Sequence, residues 1–170
     1  MRSRPFFRNL DTNGDGTGSV AANVDGSSTP VVFKYTATKR VCLHRLIVGI
    51  EDNANLSADG YGGLSQLTNG ITGGLYSASG VDYGLWGAGL AVRSLAEWAF
   101  LCYDMTAHTF GSGNNFASVR WTFSNSGSPV YMEPGDEFRI YVNDNLSGLV
   151  AHYFHMQGFE GWTMHPILNG

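Results

Sequence analysis

Three groups of residues combine side-chain types and spacings that could do chemistry. Asp11-Thr12-Asn13-Gly14-Asp15-Gly16 has the D-x-N-x-D-G opening of a calcium loop. In such a loop alternate carboxylate and amide oxygens converge on a hard cation, and glycine permits the sharp turn. Asp11, Asn13 and Asp15 are the candidate ligands. The twelfth position of the motif should be a bidentate glutamate, whereas here it is Ala22, with no helical pattern on either flank. Those ligand rules favour a solvated, Asx-rich turn, and no metal or cofactor is expected. His152 and His155 are three residues apart, a spacing that would align them on a helix. On a strand it sends them to opposite faces, with His152 beside Phe154 and Met156 and His155 beside Ala151 and Tyr153. Zinc needs three or four convergent ligands, so the histidines read as core or interface residues.

The third group is the carboxylates. Asp136 and Glu137 are adjacent and diverge on a strand, while Glu51 and Asp52 end one. Nothing sets one carboxylate in an apolar pocket opposite another, as acid–base catalysis requires. No G-x-S-x-G elbow frames a nucleophile. The Gly60-Tyr61-Gly62-Gly63 cluster lacks the lysine and following helix of a phosphate cradle. No catalytic residue and no enzymatic activity are expected. Tyr83, Trp86, Phe159 and Trp162 remain as exposed-looking aromatics, able to stack on a sugar or pack on a neighbour.

The elements that must position these groups read as strands. Residues 9 to 30 are polar and rich in Gly, Asn, Asp and Ser, predicting an N-terminal arm or loop over residues 1–30, with one short strand at Ser19–Asn23. The sandwich domain is expected over 31–170. Val31–Thr36 is a strand, and Val41–Glu51 a longer one, apolar on both faces as a central strand should be. A further strand is expected around Asn69-Gly70-Ile71, and residues 77 to 92 suit a long glycine-rich loop. Leu95–Asp104 fits either a helical face or a strand, and its aromatic content favours the strand. Phe116–Ser124 alternates cleanly. Val130–Met132 is short, Glu133-Pro134-Gly135-Asp136 is a turn, Phe138, Ile140 and Val142 face inward, and Leu149–Gln157 closes the fold. About eight short strands with tight turns predict an all-β, jelly-roll-like antiparallel sandwich with an extended N-terminal arm.

Composition points the same way. Charged residues make up 14% of the 170 positions and aromatics 13%; glycine occurs 23 times, and Lys34 and Lys39 are the only lysines. Ordinary soluble domains carry about 25% charge. A surface so poor in charge is expected to lie against other subunits. The net charge of −4 argues against nucleic acid as a direct partner. No run approaches a membrane span, and MRSRPFFRN has positive charge without an apolar run after it, so no secretory leader is expected. Cys42 and Cys102 read as free buried thiols. Arg2, Arg4 and Arg8 crowd the N-terminus, either as a solvated end or as a basic arm. In the second reading Phe6 and Phe7 are aromatic anchors between cationic Arg4 and Arg8 that reach a neighbour.

Phrases along most of the chain resemble small structural proteins of tailed bacteriophages. They are FFRNLDTNGDG, YTATKRVCLHRLIVGIED, LTNGI, EWAFLCYD, FGSGNNFASVRWTF and NDNLSGLVAHYFHMQGF, with residues 73 to 92 a departure. The resemblance implies a β-sandwich capsid-decorating, or cement, protein. It would be made in the host cytoplasm, sit on the outer capsid surface, and bridge major capsid subunits as a trimer or dimer. Arg4, Phe6, Phe7, Arg8, Tyr83, Trp86 and Trp162 are then the interface candidates. A tail, neck or baseplate component and a carbohydrate-binding host-adhesion module are the alternatives.

Overall fold

The computed structural model describes residues 4–84, 90–102, 104–108, 114–123 and 129–161. In chain order these form β1 (Arg4–Asn9), β2 (Val31–Thr36), β3 (Val41–Asp52), β4 (Ile71–Tyr76), α1 (Leu95–Cys102), β5 (Met105–His108), β6 (Asn115–Thr122), β7 (Val130–Met132), β8 (Glu137–Val142) and β9 (Ala151–Glu160). Every strand pairing is antiparallel. The large sheet runs β1-β9-β3-β6-β5, with β7 also on β3; the small sheet runs β2-β8-β4.

The two sheets form the expected all-β sandwich, because alternation gives each one an apolar face. Phe138, Ile140 and Val142 of β8 point inward, as do Leu46, Val48 and Ile50 of β3 and Phe154 and Met156 of β9. Aromatic rings bridge the layers: Phe33 lies 5.5 Å from Phe154, and Phe6 meets Tyr35 edge-on at 5.3 Å.

β3 is central, but it is not buried on both faces. Its register against β9 slips between Leu43 and Arg45. This bulge switches the buried set from Val41 and Leu43 to Leu46, Val48 and Ile50. The change of parity makes the sequence look apolar on both sides.

Two further expectations need correction. Leu95–Cys102 is a helix, not a strand. The Ser94 Oγ accepts the Glu97 N–H at 3.2 Å, and the Glu97 carboxylate accepts the Arg93 N–H. This is a capping box with its return bond displaced by one residue, to Arg93 instead of Ser94, and its Ser-x-x-Glu signature was present in the sequence. The expected strand at Ser19–Asn23 is reduced to one bridge, Ala21 to His152.

The N-terminal segment is extended, as expected, but it is built into the sandwich. β1 pairs with β9 through residues 155 to 160. The chain then crosses to the small sheet, where Asp11 exchanges backbone hydrogen bonds with Lys34 at 3.0 and 2.7 Å. Phe6, Leu10 and Val24 all lie in the core. The opposite side is closed by residues 91 to 102. Val92 pairs with Ile71 of β4, and α1 packs on β6 and β5.

Candidate functional site

Strand geometry separates the residues that sequence placed together at the N-terminus. Phe6 is fully buried and Phe7 is 56% exposed, because neighbours on a strand face opposite ways. Phe6 is therefore a core residue, not an anchor for a neighbour. Arg4 bonds the Glu160 carboxylate, and Arg8 reaches it at 3.8 Å while its guanidinium sits 5.2 Å over the Phe6 ring. Both cations thus have partners in their own chain. Phe7 stacks on His155 at 6.3 Å, and the His155 Nδ1 shares a 2.8 Å hydrogen bond with Asn9 Oδ1. Tyr83 is exposed beside β4, where its N–H donates to the Leu75 carbonyl at 2.8 Å. Trp86 and Trp162 lie outside the described residues.

The Asp11–Gly16 loop turns its carboxylates onto its own backbone. Asp11 is 9% exposed, and its carboxylate accepts the N–H groups of Gly14, Gly16 (3.0 Å) and Gly18 (2.9 Å). Gly14 and Gly16 adopt φ of 85° and 79°, the left-handed conformations that wrap the loop around Asp11. Asp15 accepts the hydroxyl and N–H of Thr17, which hold its carboxyl below the usual range, and its side chain also lies within hydrogen-bond reach of Asp11. Asn13 is exposed.

Other aspartates do the same structural work. Asp52 accepts the N–H of Ala54 and Gly63, Asp136 those of Glu133 and Ala78, and Asp144 those of Thr68, Asn69 and Gly70. Among the described residues no three His, Cys, Asp or Glu side chains converge to hold a metal.

His152 and His155 point to opposite faces, as expected. His152 is buried in the core, where its Nε2 shares a 3.0 Å hydrogen bond with the Tyr61 hydroxyl. Burial drives its pKa down to about 3, so the ring is neutral. The Tyr61 phenol is pushed up by the same burial.

Two surface sites are assembled that sequence did not bring together. The first opens on the outer face of the large sheet. Opposite the β3 bulge, Leu43 pairs with Gly158 and Arg45 with Gln157, leaving His44 as the extra residue. A Cβ on Gly158 would sit 2.1 Å from the Cys42 carbonyl oxygen, so only glycine admits this approach. On its other edge β3 changes partner at the same point, from β7 at Leu43 to β6 at Arg45. The result is a depression of about 270 Å³, with Phe7, His44, Arg45, Thr122, Gln157 and Phe159 among its lining. Phe159 is 43% exposed and meets His44 edge-on at 5.4 Å. Arg45 carries no warning in the sequence, since the bulge alone decides which way it points.

The second site lies beside α1. A groove of about 450 Å³ is lined by Leu90, Ala91, Ala96, Phe100 and Leu101, with Arg93 and Glu97 as its charged members. Phe100 is 77% exposed and Leu90 39%. Reading this segment as a strand concealed the groove, because only a helix brings Ala96, Phe100 and Leu101 to one side.

These features define the class: an all-β protein, two antiparallel sheets packed as a sandwich, with a bulge depression and a helix-flanking apolar groove on its surface. No family model, curated protein or solved structure matches this chain.

Proposed function

We propose that this chain is a structural subunit of a bacteriophage virion that works by assembly, associating with copies of itself through the groove beside α1. The observation that carries the reading is Phe100, a phenyl ring 77% exposed next to an apolar groove of about 450 Å³. A helix that is apolar on most of its circumference belongs in an interior. α1 reads LAEWAFLC and buries only Leu95, Trp98 and Cys102. A second copy seated on the groove gives it that interior. Large aromatics on a surface poor in charge are the composition of an interface core.

The resemblance to phage structural proteins favours the outer capsid surface as the location, where a dimer or trimer would bridge major capsid subunits. Symmetry repeats each weak contact, and an oligomer engages several at once. A tail or baseplate position is the alternative, distinguished by copy number per particle.

The test combines light scattering of the purified chain with fractionation of intact particles. The wild-type chain is expected as a dimer or trimer, present in hundreds of copies per particle, an order-of-magnitude figure that follows from icosahedral repetition. Phe100→Glu is expected to give a folded monomer. A wild-type monomer that never enters particles overturns the proposal.

A further inference from the structure

We infer that the depression at the β3 bulge is a binding site for a carboxylate-bearing sugar ring, of the uronic or sialic acid type. Four observations converge on that chemistry. The first is the cation. The Arg45 Nε is shielded from solvent and has no hydrogen-bond partner, and none of the ion pairs among the described residues includes Arg45. A half-buried guanidinium is ordinarily paired, since desolvating a charge without a partner is costly. The described residues supply no carboxylate to this cation, so an anion from outside would be its first ionic partner. No carboxylate stands among the lining residues, although the chain carries a net charge of −4.

The second observation is the row in which Arg45 sits. Cross-strand register sets Phe7, Gln157, Arg45 and Thr122 side by side on the outer face of β1, β9, β3 and β6. Gln157 and Thr122 flank the guanidinium with neutral donors and acceptors that can read ring hydroxyls. The third is the pair of exposed phenyl rings, Phe7 at 56% and Phe159 at 43%. They offer apolar surface to the C–H face of a sugar, whereas an isolated Asp or Glu side chain would leave them unused. The fourth is size. At about 270 Å³ the depression falls just below the roughly 300–1,000 Å³ of drug-sized sites. It accepts one ring, not an extended chain.

The Arg45 fork would take the carboxylate, and its planar geometry suits a bidentate pair. The site lies on a different surface from the α1 groove and stands without the assembly reading. Monomeric Phe100→Glu protein should bind the sugar as wild type does.

The experiment is titration of the full chain with methyl β-glucuronide, methyl β-glucoside, acetate and N-acetylglutamate amide, followed by nuclear magnetic resonance at the Arg45 Nε–H and the Gln157 side-chain amide. The glucuronide is expected to bind about tenfold more tightly than the neutral glucoside, the scale of one charge-assisted hydrogen bond. It should also exceed both acetate and the glutamate probe. Arg45→Gln should bring the glucuronide down to the level of the glucoside at an unchanged melting temperature. Phe159→Ala should weaken both glycosides and leave acetate as it was. The wild-type comparison decides the matter even if Arg45→Gln folds poorly. Equal affinity for glucuronide and glucoside overturns the proposal, as does tighter binding of the glutamate probe, which would make the occupant a protein.

Discussion

The two long sides of the sandwich are closed by different chemistry. On one side β1 runs along β9 and the chain crosses to β2, with Phe6 and Leu10 in the core and Arg4, Arg8 and Asp11 partnered within the chain. On the other, α1 buries one stripe and leaves Phe100 in solvent. The cause is the period of each element. A strand of period two sends alternate side chains to opposite faces, so β1 buries Phe6 and turns Phe7 outward. A short helix that is apolar nearly all round cannot hide every side chain against one sheet edge. The first side holds Phe6 and its charges within the chain, while the second leaves the Phe100 ring 77% exposed.

Substitutions can break that comparison. The largest effect is expected at Phe6, where truncation to alanine empties a core position and should cost about 3–5 kcal/mol in urea unfolding. Phe7→Ala should cost less than about 1 kcal/mol, as exposed sites do. Equal losses would show that β1 is not zipped to the sheet. Asp11→Ala comes next. It strips the acceptor from three loop amides and should cost about 2–3 kcal/mol, measured as a lower midpoint. With both carboxylate oxygens already taken by those amides, a chelator is expected to leave the wild-type midpoint where it is.

A pH series sharpens the same contrast, because His152 is where Ala21 of the N-terminal segment pairs onto β9. Burial lowers the folded pKa of His152 from 6.5 to about 3. Below pH 6.5 the unfolded chain therefore takes up a proton that the native chain refuses. The stability is full above pH 6.5 and is lost as pH falls toward 3, by about 1.4 kcal/mol per unit from this group. His152→Gln should flatten the slope between about pH 7 and about pH 5, where carboxylates still contribute little. An unchanged slope would place the acid sensitivity elsewhere. The smallest stability effect is expected on the α1 side: Phe100→Glu should shift unfolding by no more than about 0.5 kcal/mol in the monomer, while abolishing association.

Much of this was legible beforehand. The strands at Val31–Thr36 and Val130–Met132, the inward set of β8 and the opposed histidines all follow from strict alternation and from turn residues. β6 and β9 were placed within a few residues of their observed bounds. The β1 strand was hidden by the polar, glycine-rich run after it, and by arginines whose acidic partner, Glu160, lies 156 residues from Arg4. α1 was hidden by its aromatic content, despite the capping box at its start.

By itself the sequence determined the class, an all-β sandwich, because period-two apolar patterns and tight turns leave a chain few other ways to bury its faces. It also pointed to an Asx-rich turn at Asp11–Gly16, since Asp beside Gly favours loops that close on their own amides, whereas the distant amides that Asp144 accepts were set by the fold. Only the tertiary structure decided which side chains meet across strands. One extra residue at His44 reverses the facing of everything near it, so Arg45, Gln157 and Phe159 become neighbours through register, and register is a property of paired strands.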